Sequence, residues 1–170
     1  MKITYSETIT EDQWKEYRDI KIESIIQYPD AFSATLKELK EFSEEEWKKI
    51  IKEVNIKLFF VKSDEKIIGM IRVYFYREKK FKHNASIDSL YVNKNYQNQG
   101  IATNLLKTAL DFIEKQKSIL NIHSEVFSSQ QSSLEVHKKL GFQIVVKVKD
   151  FIKTKDGYFD SIFLQKTINK

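Results

Sequence analysis

Residues 85–117 of the chain have the sequence ASIDSLYVNKNYQNQGIATNLLKTALDFIEKQK. The first part, residues 85–92, has the short period of a β-strand, whereas apolar side chains recur at the helical period over residues 101–117. The loop between these two segments, residues 93–100, ends at Gly100 and opens the predicted helix. The first N–H groups of a helix lack partners and lie at the positive end of its dipole, which suits a phosphate group. The junction is therefore a candidate phosphate-binding loop, with a plain turn as the alternative.

The sequence on either side of this junction predicts further strands and helices. Toward the N-terminus, the periodicity predicts a strand over 2–9, helices over 11–27 and 43–54, and a hairpin over 58–76. Toward the C-terminus, it predicts a strand over 120–127, a helix over 132–140 and two strands around a turn at 155–157. The order β α α β β β α β α β β is typical of an α/β fold with a mixed, mostly antiparallel sheet flanked by helices. No linker or repeat interrupts it, so residues 1–170 are predicted to form a single domain.

The composition excludes several classes of protein. The 170 residues are the usual size of one domain, and 41% hydrophobic residues supply enough bulk for a core. The chain has no Cys, which rules out disulfides, thiolate metal sites and a cysteine nucleophile. The first ten residues contain no apolar signal core, and no apolar run approaches the ~18 residues that span a bilayer. We therefore expect a cytoplasmic protein with no membrane partner.

The charged residues argue against nucleic acid as a partner. The formal net charge is +5, but only three of the 29 basic residues are Arg, the residue that most often reads bases and phosphates. Residues 1–60 carry ten basic and 13 acidic side chains, whereas residues 61–170 carry 19 and 11. The sequence therefore predicts an acidic N-terminal part beside a basic body, and we do not expect nucleic acid as a partner.

The junction resembles the acyl-CoA loop of the GNAT superfamily of N-acetyltransferases, whose pattern is (Gln/Arg)-x-x-Gly-x-(Gly/Ala). Gln97, Gly100 and Ala102 match this pattern, and the preceding strand and following helix match its context. The resemblance continues through residues 125–142, where the family has a Glu-Val strand and a helix that ends in Gly-Phe. It implies a GNAT-like fold and acetyl-CoA as co-substrate. His83 and His123 have no metal-like spacing with His137, so no metal is expected.

The resemblance also implies which residues bind acetyl-CoA. The backbone of one strand would lie beside the pantetheine arm and thioester, at Leu90, Tyr91 and Val92. The loop and the first helical turn would hold the pyrophosphate, at Gln97, Asn98, Gln99, Gly100, Ile101, Ala102 and Thr103. Four positions depart from the residues that the family usually has: Gln130 replaces Asn, Ser133 replaces Ala, Asn98 replaces Gly and His137 replaces Tyr.

The family's reaction is direct transfer of an acetyl group to an amine, which requires a base. The ribosomal-protein alanine acetyltransferases resemble this chain without a gap from Glu125 to His137, and their corresponding Glu is the base. We therefore favour Glu125, acting through water. Asp88 is the rival, because residues 86, 88, 90 and 92 are expected to share one strand face. The alternative for either carboxylate is a solvated position or an ion pair.

His137 stands where the family usually has a Tyr that protonates the departing thiolate. An imidazole of ordinary pKa near 6.5 can donate a proton at neutral pH. The alternative is a histidine on the helix surface with no part in the chemistry.

The acceptor is predicted only as a class: a small amine, an amino acid derivative or a protein N-terminus. The family places it beside the first helices, where five acidic side chains favour a cationic amine: Asp12, Asp19, Glu23, Asp30 and Glu38. A merely solvated acidic face is the alternative. A non-catalytic acyl-CoA-binding or sensing module is the alternative to an enzyme. Relatives often dimerise, so a homodimer is among the expected assemblies.

Overall fold

The computed structural model describes residues 2–7 and 9–168 of the chain. These residues form seven strands: β1 (Ile3–Glu7), β2 (Ile56–Ser63), β3 (Lys66–Phe75), β4 (Asn84–Val92), β5 (Asn121–Phe127), β6 (Gln143–Thr154) and β7 (Gly157–Thr167). They also form five α-helices: α1 (Trp14–Gln27), α2 (Leu36–Glu41), α3 (Glu44–Lys52), α4 (Ile101–Glu114) and α5 (Gln131–Lys139). Among the described helices, none is both long and apolar enough to cross a membrane.

The seven strands form one sheet in the order β1-β2-β3-β4-β5-β7-β6. Every neighbouring pair in this sheet is antiparallel except β4 and β5, which are parallel and are joined through α4. A parallel pair needs a crossover connection, and the predicted strand–loop–helix junction supplies it. The predicted α/β class with a mostly antiparallel sheet is confirmed.

Helices cover both faces of the sheet and bury two apolar cores. On one face, α4 packs Leu105, Ala109 and Ile113 onto the strands, and α5 adds Leu134. On the other face, the three N-terminal helices enclose an aromatic cluster in which the Tyr17 ring packs edge-on against Trp47 and Phe60. The predicted helical face of α4 is therefore the face that is buried.

A third N-terminal helix, α2, was absent from the predicted order. Its six residues are too few for a helical period to emerge in the sequence. The helix begins with a capping box, because the Thr35 hydroxyl accepts from the Glu38 N–H at 3.2 Å and the Glu38 carboxylate accepts from the Thr35 N–H at 2.7 Å. The short signal Thr-x-x-Glu at residues 35–38 could have identified this helix from the sequence.

A bulge in β4 overturns the expectation that residues 86, 88, 90 and 92 share one face. Ser89 has φ +58°, and the register with β3 shifts there, from Arg72 opposite Asp88 to Met70 opposite Tyr91. Leu90 and Val92 consequently pack with α4, whereas Asp88 pairs with Arg72 on the side of α1. A bulge inserts one extra residue, which reverses the alternation of side chains beyond it.

Candidate active site

The candidate site is an opening in the sheet between β4 and β5. The parallel pairing of these strands ends where Ile87 lies opposite Ser124, although β4 continues to Val92 and β5 to Phe127. The strands therefore diverge, and the β4 edge beyond Ile87 is not paired with β5. Such an edge offers backbone N–H and C=O groups to a bound extended molecule.

A cleft of about 400 Å³ continues this opening to the N-terminus of α4. Eleven of the predicted binding residues line it: Leu90, Tyr91, Val92, Gln97, Asn98, Gly100, Ile101, Ala102, Thr103, Gln130 and Ser133. The twelfth, Gln99, is exposed and is not part of the cleft wall. Tyr28 and Phe32 are among the other residues of the wall, and sequence reasoning had not assigned Tyr28 to the site.

The loop before α4 has the backbone conformation of an anion cradle. Asn98 has φ +60° and Gly100 has φ +76°, and the first α4 bond runs from the Asn104 N–H to the Gly100 carbonyl at 3.0 Å. The N–H groups of the three preceding helical residues are therefore left for a ligand. A Cβ built at Gly100 would meet nothing within 4 Å. These features fit the pyrophosphate of an acyl-CoA.

The Gln97 side chain fixes the loop rather than pointing at a ligand. Its Nε2 donates to the Val92 carbonyl at 2.7 Å and lies 2.9 Å from the Tyr28 hydroxyl. The hydrogen bond between Gln97 and Tyr28 joins residues 69 positions apart in the sequence. Tyr28 therefore holds the loop against the end of α1, a role that no local sequence signal indicates.

The acidic side chains of the N-terminal part do not converge on one slot. Glu23 accepts from the Tyr91 hydroxyl at 2.7 Å and from Asn93 Nδ2 at 2.6 Å, and burial together with Glu23 raises the pKa of Tyr91. Asp19 pairs with Arg18 at 2.7 Å on the surface, and Glu38 caps α2. Three of the five carboxylates from which a cationic acceptor was predicted thus form other contacts, and they do not line a common acceptor slot.

The Asp88 carboxylate forms a two-bond ion pair. Its Oδ1 accepts from Arg72 Nε and its Oδ2 from Arg72 Nη2, both at 2.8 Å. Each carboxylate oxygen thus already accepts a charged hydrogen bond, which weakens Asp88 as a base. This arrangement matches the ion-pair alternative for Asp88.

The Glu125 carboxylate is exposed on β5, next to the point where the strands diverge. Its Oε1 accepts a hydrogen bond from the buried Ser161 hydroxyl of β7. Glu125, Asp88 and His137 line a second, smaller cavity of about 60 Å³ that shares Leu90, among other residues, with the cleft. The structure thus gathers the three predicted catalytic residues around one cavity.

His137 is buried, with 2% of its surface exposed, so the expected helix-surface alternative is wrong. Its Nδ1 lies 2.8 Å from the Ser133 carbonyl and its Nε2 lies 3.0 Å from the Ser124 hydroxyl. A carbonyl only accepts, so Nδ1 carries the proton of the neutral ring. Burial lowers the pKa of His137, which favours the neutral ring, and its Nδ1 proton is donated to the Ser133 carbonyl.

Among residues 2–7 and 9–168, no group of three or more His, Asp or Glu side chains is arranged to hold a metal ion.

The open edge of β4 beside the free N–H groups at the start of α4 accords with the family to which this chain belongs. The sequence profile of the acetyltransferase (GNAT) family matches residues 7–142, and the chain belongs to that family. It is 26% identical over 131 residues to the SPbeta prophage-derived uncharacterized N-acetyltransferase YokL of Bacillus subtilis strain 168, a match that covers 77% of this chain and 70% of that protein.

Solved structures of the same family share the fold. An acetyltransferase from Streptococcus pneumoniae superposes with a TM-score of 0.86 at 17% identity, over 98% of this chain and 100% of that one. The ribosomal-protein-S18-alanine N-acetyltransferase from Escherichia coli superposes with a TM-score of 0.75 at 18% identity, over 99% of this chain and 96% of that one. At these identities the likeness is one of fold.

Proposed function

We propose that this protein transfers the acetyl group of acetyl-CoA to a primary amine. The observation that carries the proposal is the continuous path from the open edge of β4 to the helix terminus at residues 97–103. The pantetheine arm would lie along Leu90–Val92 and the pyrophosphate on the loop. Glu125 would then stand at the far end of the path, where the thioester would be.

In the proposed reaction the amine nitrogen attacks the thioester carbonyl carbon, an N–C bond forms and the C–S bond breaks. Glu125 accepts the proton that the nitrogen loses, through an intervening water. Support for Glu125 over Asp88 comes from their partners, because Asp88 accepts two bonds from Arg72 whereas Glu125 accepts one from a neutral hydroxyl. A carboxylate bound to a hydroxyl keeps more of its capacity to accept a proton.

The departing thiolate takes its proton from solvent in this proposal. A thiol of ordinary pKa near 8.5 is readily protonated by water at pH 7. His137 has the role of a positioning residue, since its Nε2 and the Ile87 carbonyl each lie 3.0 Å from the Ser124 hydroxyl, whose single proton is shared between these two acceptors where the strands part.

The test is an acceptor screen with acetyl-CoA, in which a thiol reagent measures free CoA and mass spectrometry identifies the acetylated amine. The chain contains no Cys, so every thiol released comes from CoA. Release that depends on both the amine and the protein supports the proposal. Tight acetyl-CoA binding without transfer to any amine would instead indicate the acyl-CoA-binding or sensing module.

The proposed location is the cytoplasm, and the homodimer stays a prediction. The surface for it would be the edge strand β6, where Ile144, Val146 and Phe151 are about half exposed, at 49%, 48% and 56%. Light scattering with Val146→Glu as the disrupting variant tests this pairing.

A further inference from the structure

Lys21 is a half-buried cation whose hydrogen-bond partner is a neutral hydroxyl. It extends from α1 toward the β4 bulge, where its Nζ donates to the Ser89 hydroxyl at 2.9 Å and lies 4.5 Å from the centre of the Phe32 ring. Within the part of the chain that the structure describes, no carboxylate oxygen lies within 4 Å of this ammonium. Burial lowers the pKa of Lys21 to about 8, so the side chain is still mostly charged at pH 7.

The groups around Lys21 do not neutralise it. Asp88 is the nearby carboxylate, but its two oxygens accept hydrogen bonds from Arg72 at 2.8 Å. The negative charge of Asp88 is therefore already neutralised by the positive charge of Arg72. The Tyr17 hydroxyl cannot serve as an anion, because burial raises its pKa to about 12. The cluster of Tyr17, Lys21, Arg72 and Asp88 thus retains one positive charge.

Ser89 connects this charge to the cavity. Its hydroxyl oxygen accepts from Lys21, which leaves its own proton available for an acceptor in the cavity that Ser89 lines. The residue has φ +58° at the bulge, an uncommon conformation for Ser, and such strained positions cluster at binding sites. A hydroxyl donor backed by an ammonium is a suitable arrangement for a carboxylate.

This positive site lies away from the loop proposed for the pyrophosphate. Tyr28 forms a hydrogen bond with Gln97 in that loop. Lys21 lies seven residues before Tyr28 in the sequence, which corresponds to about 10 Å along a helix. Its neighbour Ser89 instead shares a cavity wall with Asp88 and Glu125. An anion held by Lys21 would consequently be part of the acceptor and not of the cofactor.

We propose that the acceptor is an amine that also carries a carboxylate, as a free amino acid does, and that Lys21 and Ser89 bind this carboxylate. The inference rests on the proposed acetyl transfer. Of the three predicted kinds of acceptor, which are a small amine, an amino acid derivative and a protein N-terminus, it selects the amino acid. A protein N-terminus has an amide in place of the carboxylate, and a simple amine has no anionic group, so neither would pair with Lys21. The amine of the bound amino acid would face Glu125 across the small cavity.

The experiment compares matched acceptors. Glycine, alanine, methionine, phenylalanine and glutamate are each supplied as the free acid and as the α-carboxamide, and kcat and KM are measured by CoA release. The unchanged protein is expected to favour free acids in kcat/KM by at least about tenfold, the discrimination of one charge-assisted bond. Lys21→Met is expected to bring the ratio of acid to amide close to one, through a higher KM for the free acids.

Two further variants separate binding from folding. Ser89→Gly removes the hydroxyl and tolerates the positive φ, so it is expected to lower the same ratio without loss of thermal stability. Lys15→Met changes an exposed lysine of the same helix and is expected to leave the ratio unchanged.

Two kinetic results would overturn the inference. One is equal or better turnover of the amides than of the acids by the unchanged protein. The other is an equal loss of turnover for acids and amides in a folded Lys21→Met protein. If no compound releases CoA, acetyl transfer to amino acids fails, and each pair is titrated by calorimetry into protein saturated with acetyl-CoA. If the free acids bind more tightly than the carboxamides, and Lys21→Met removes this difference, the carboxylate site is supported independently of acetyl transfer. If the acids and carboxamides bind equally, the carboxylate site is excluded.

Discussion

At Gly100 the addition of a side chain is expected to remove acetyl-CoA binding without unfolding the protein. Gly100 has φ +76° and open space around the position of a Cβ, so Gly100→Val would place its methyl groups in the proposed phosphate site. We expect calorimetry to show at least about a tenfold loss of acetyl-CoA affinity, with an unchanged circular dichroism spectrum.

Gly157→Val is the matched control for this substitution. Gly157 also has a positive φ, +124°, and open space, but it is the first residue of β7, outside the cleft wall. Backbone strain alone would therefore affect both variants, whereas occupation of the phosphate site affects only the first. Equal acetyl-CoA affinity of Gly100→Val and the unchanged protein would contradict the placement of the pyrophosphate.

The second prediction at the residue scale concerns Glu125. Glu125→Gln is expected to lower kcat by about 10²- to 10⁴-fold, the usual cost of removing a general base, and to leave acetyl-CoA affinity unchanged. Raising the pH should recover part of the lost kcat, because a larger fraction of the amine is then already deprotonated and does not need the general base. Glu114→Gln, at an exposed position at the end of α4, is the control. An active Glu125→Gln beside an inactive Asp88→Asn would move the base to β4.

At the scale of elements, the sheet has a close contact at Gly69 in β3. A Cβ on this residue would lie 2.7 Å from the Tyr91 carbonyl oxygen and 2.7 Å from Val61 Cγ1. Gly69→Ala would therefore push β3 away from both neighbouring strands, and we expect a loss of about 1–3 kcal/mol in the free energy of unfolding.

Urea unfolding measures the stability of Gly69→Ala, and the same preparation can report on the site. Tyr91 and Val92 lie on the β4 edge proposed for the pantetheine arm, so acetyl-CoA affinity should fall together with stability. A variant as stable as the unchanged protein would show that the strands at Gly69 move apart at little cost.

The elements also differ in how far local sequence determined them. The helix predicted over 43–54, which begins with a capping box at Ser43, and the apolar face of α4 were predicted because caps and helical faces depend on residues three and four positions apart. The bulge at Ser89 was not predicted, because it arises from the register of β4 against β3, which residues distant in the sequence set.

At the scale of the whole molecule, stability should depend on pH through buried His137. Burial lowers the pKa of His137 below its ordinary value of about 6.5, so the unfolded chain binds the proton more readily than the folded one. The contribution of the neutral ring is fully present above pH ~6.5 and is lost as the pH falls below that value toward the pKa of the folded protein.

Urea unfolding between pH 8 and pH 5 checks this dependence. We expect the unchanged protein to lose stability as the pH falls through this range, and His137→Phe to lose less, because Phe has no proton to bind. The pKa of His123 is also lowered by burial, so part of the slope should remain in the variant. Identical slopes for the two proteins would mean that His137 titrates alike in the folded and unfolded states.

The sequence by itself determined the class of fold and the position of the loop at residues 97–103. Both depend on local signals: the change from the strand period to the helical period, and a glycine at a helix N-terminus. Tertiary structure decided which side chains meet at the site, including Tyr28 with Gln97, and Lys21 with Ser89 at a separation of 68 residues. No local period encodes such contacts, because they depend on how helices pack on a sheet whose strands diverge and bulge.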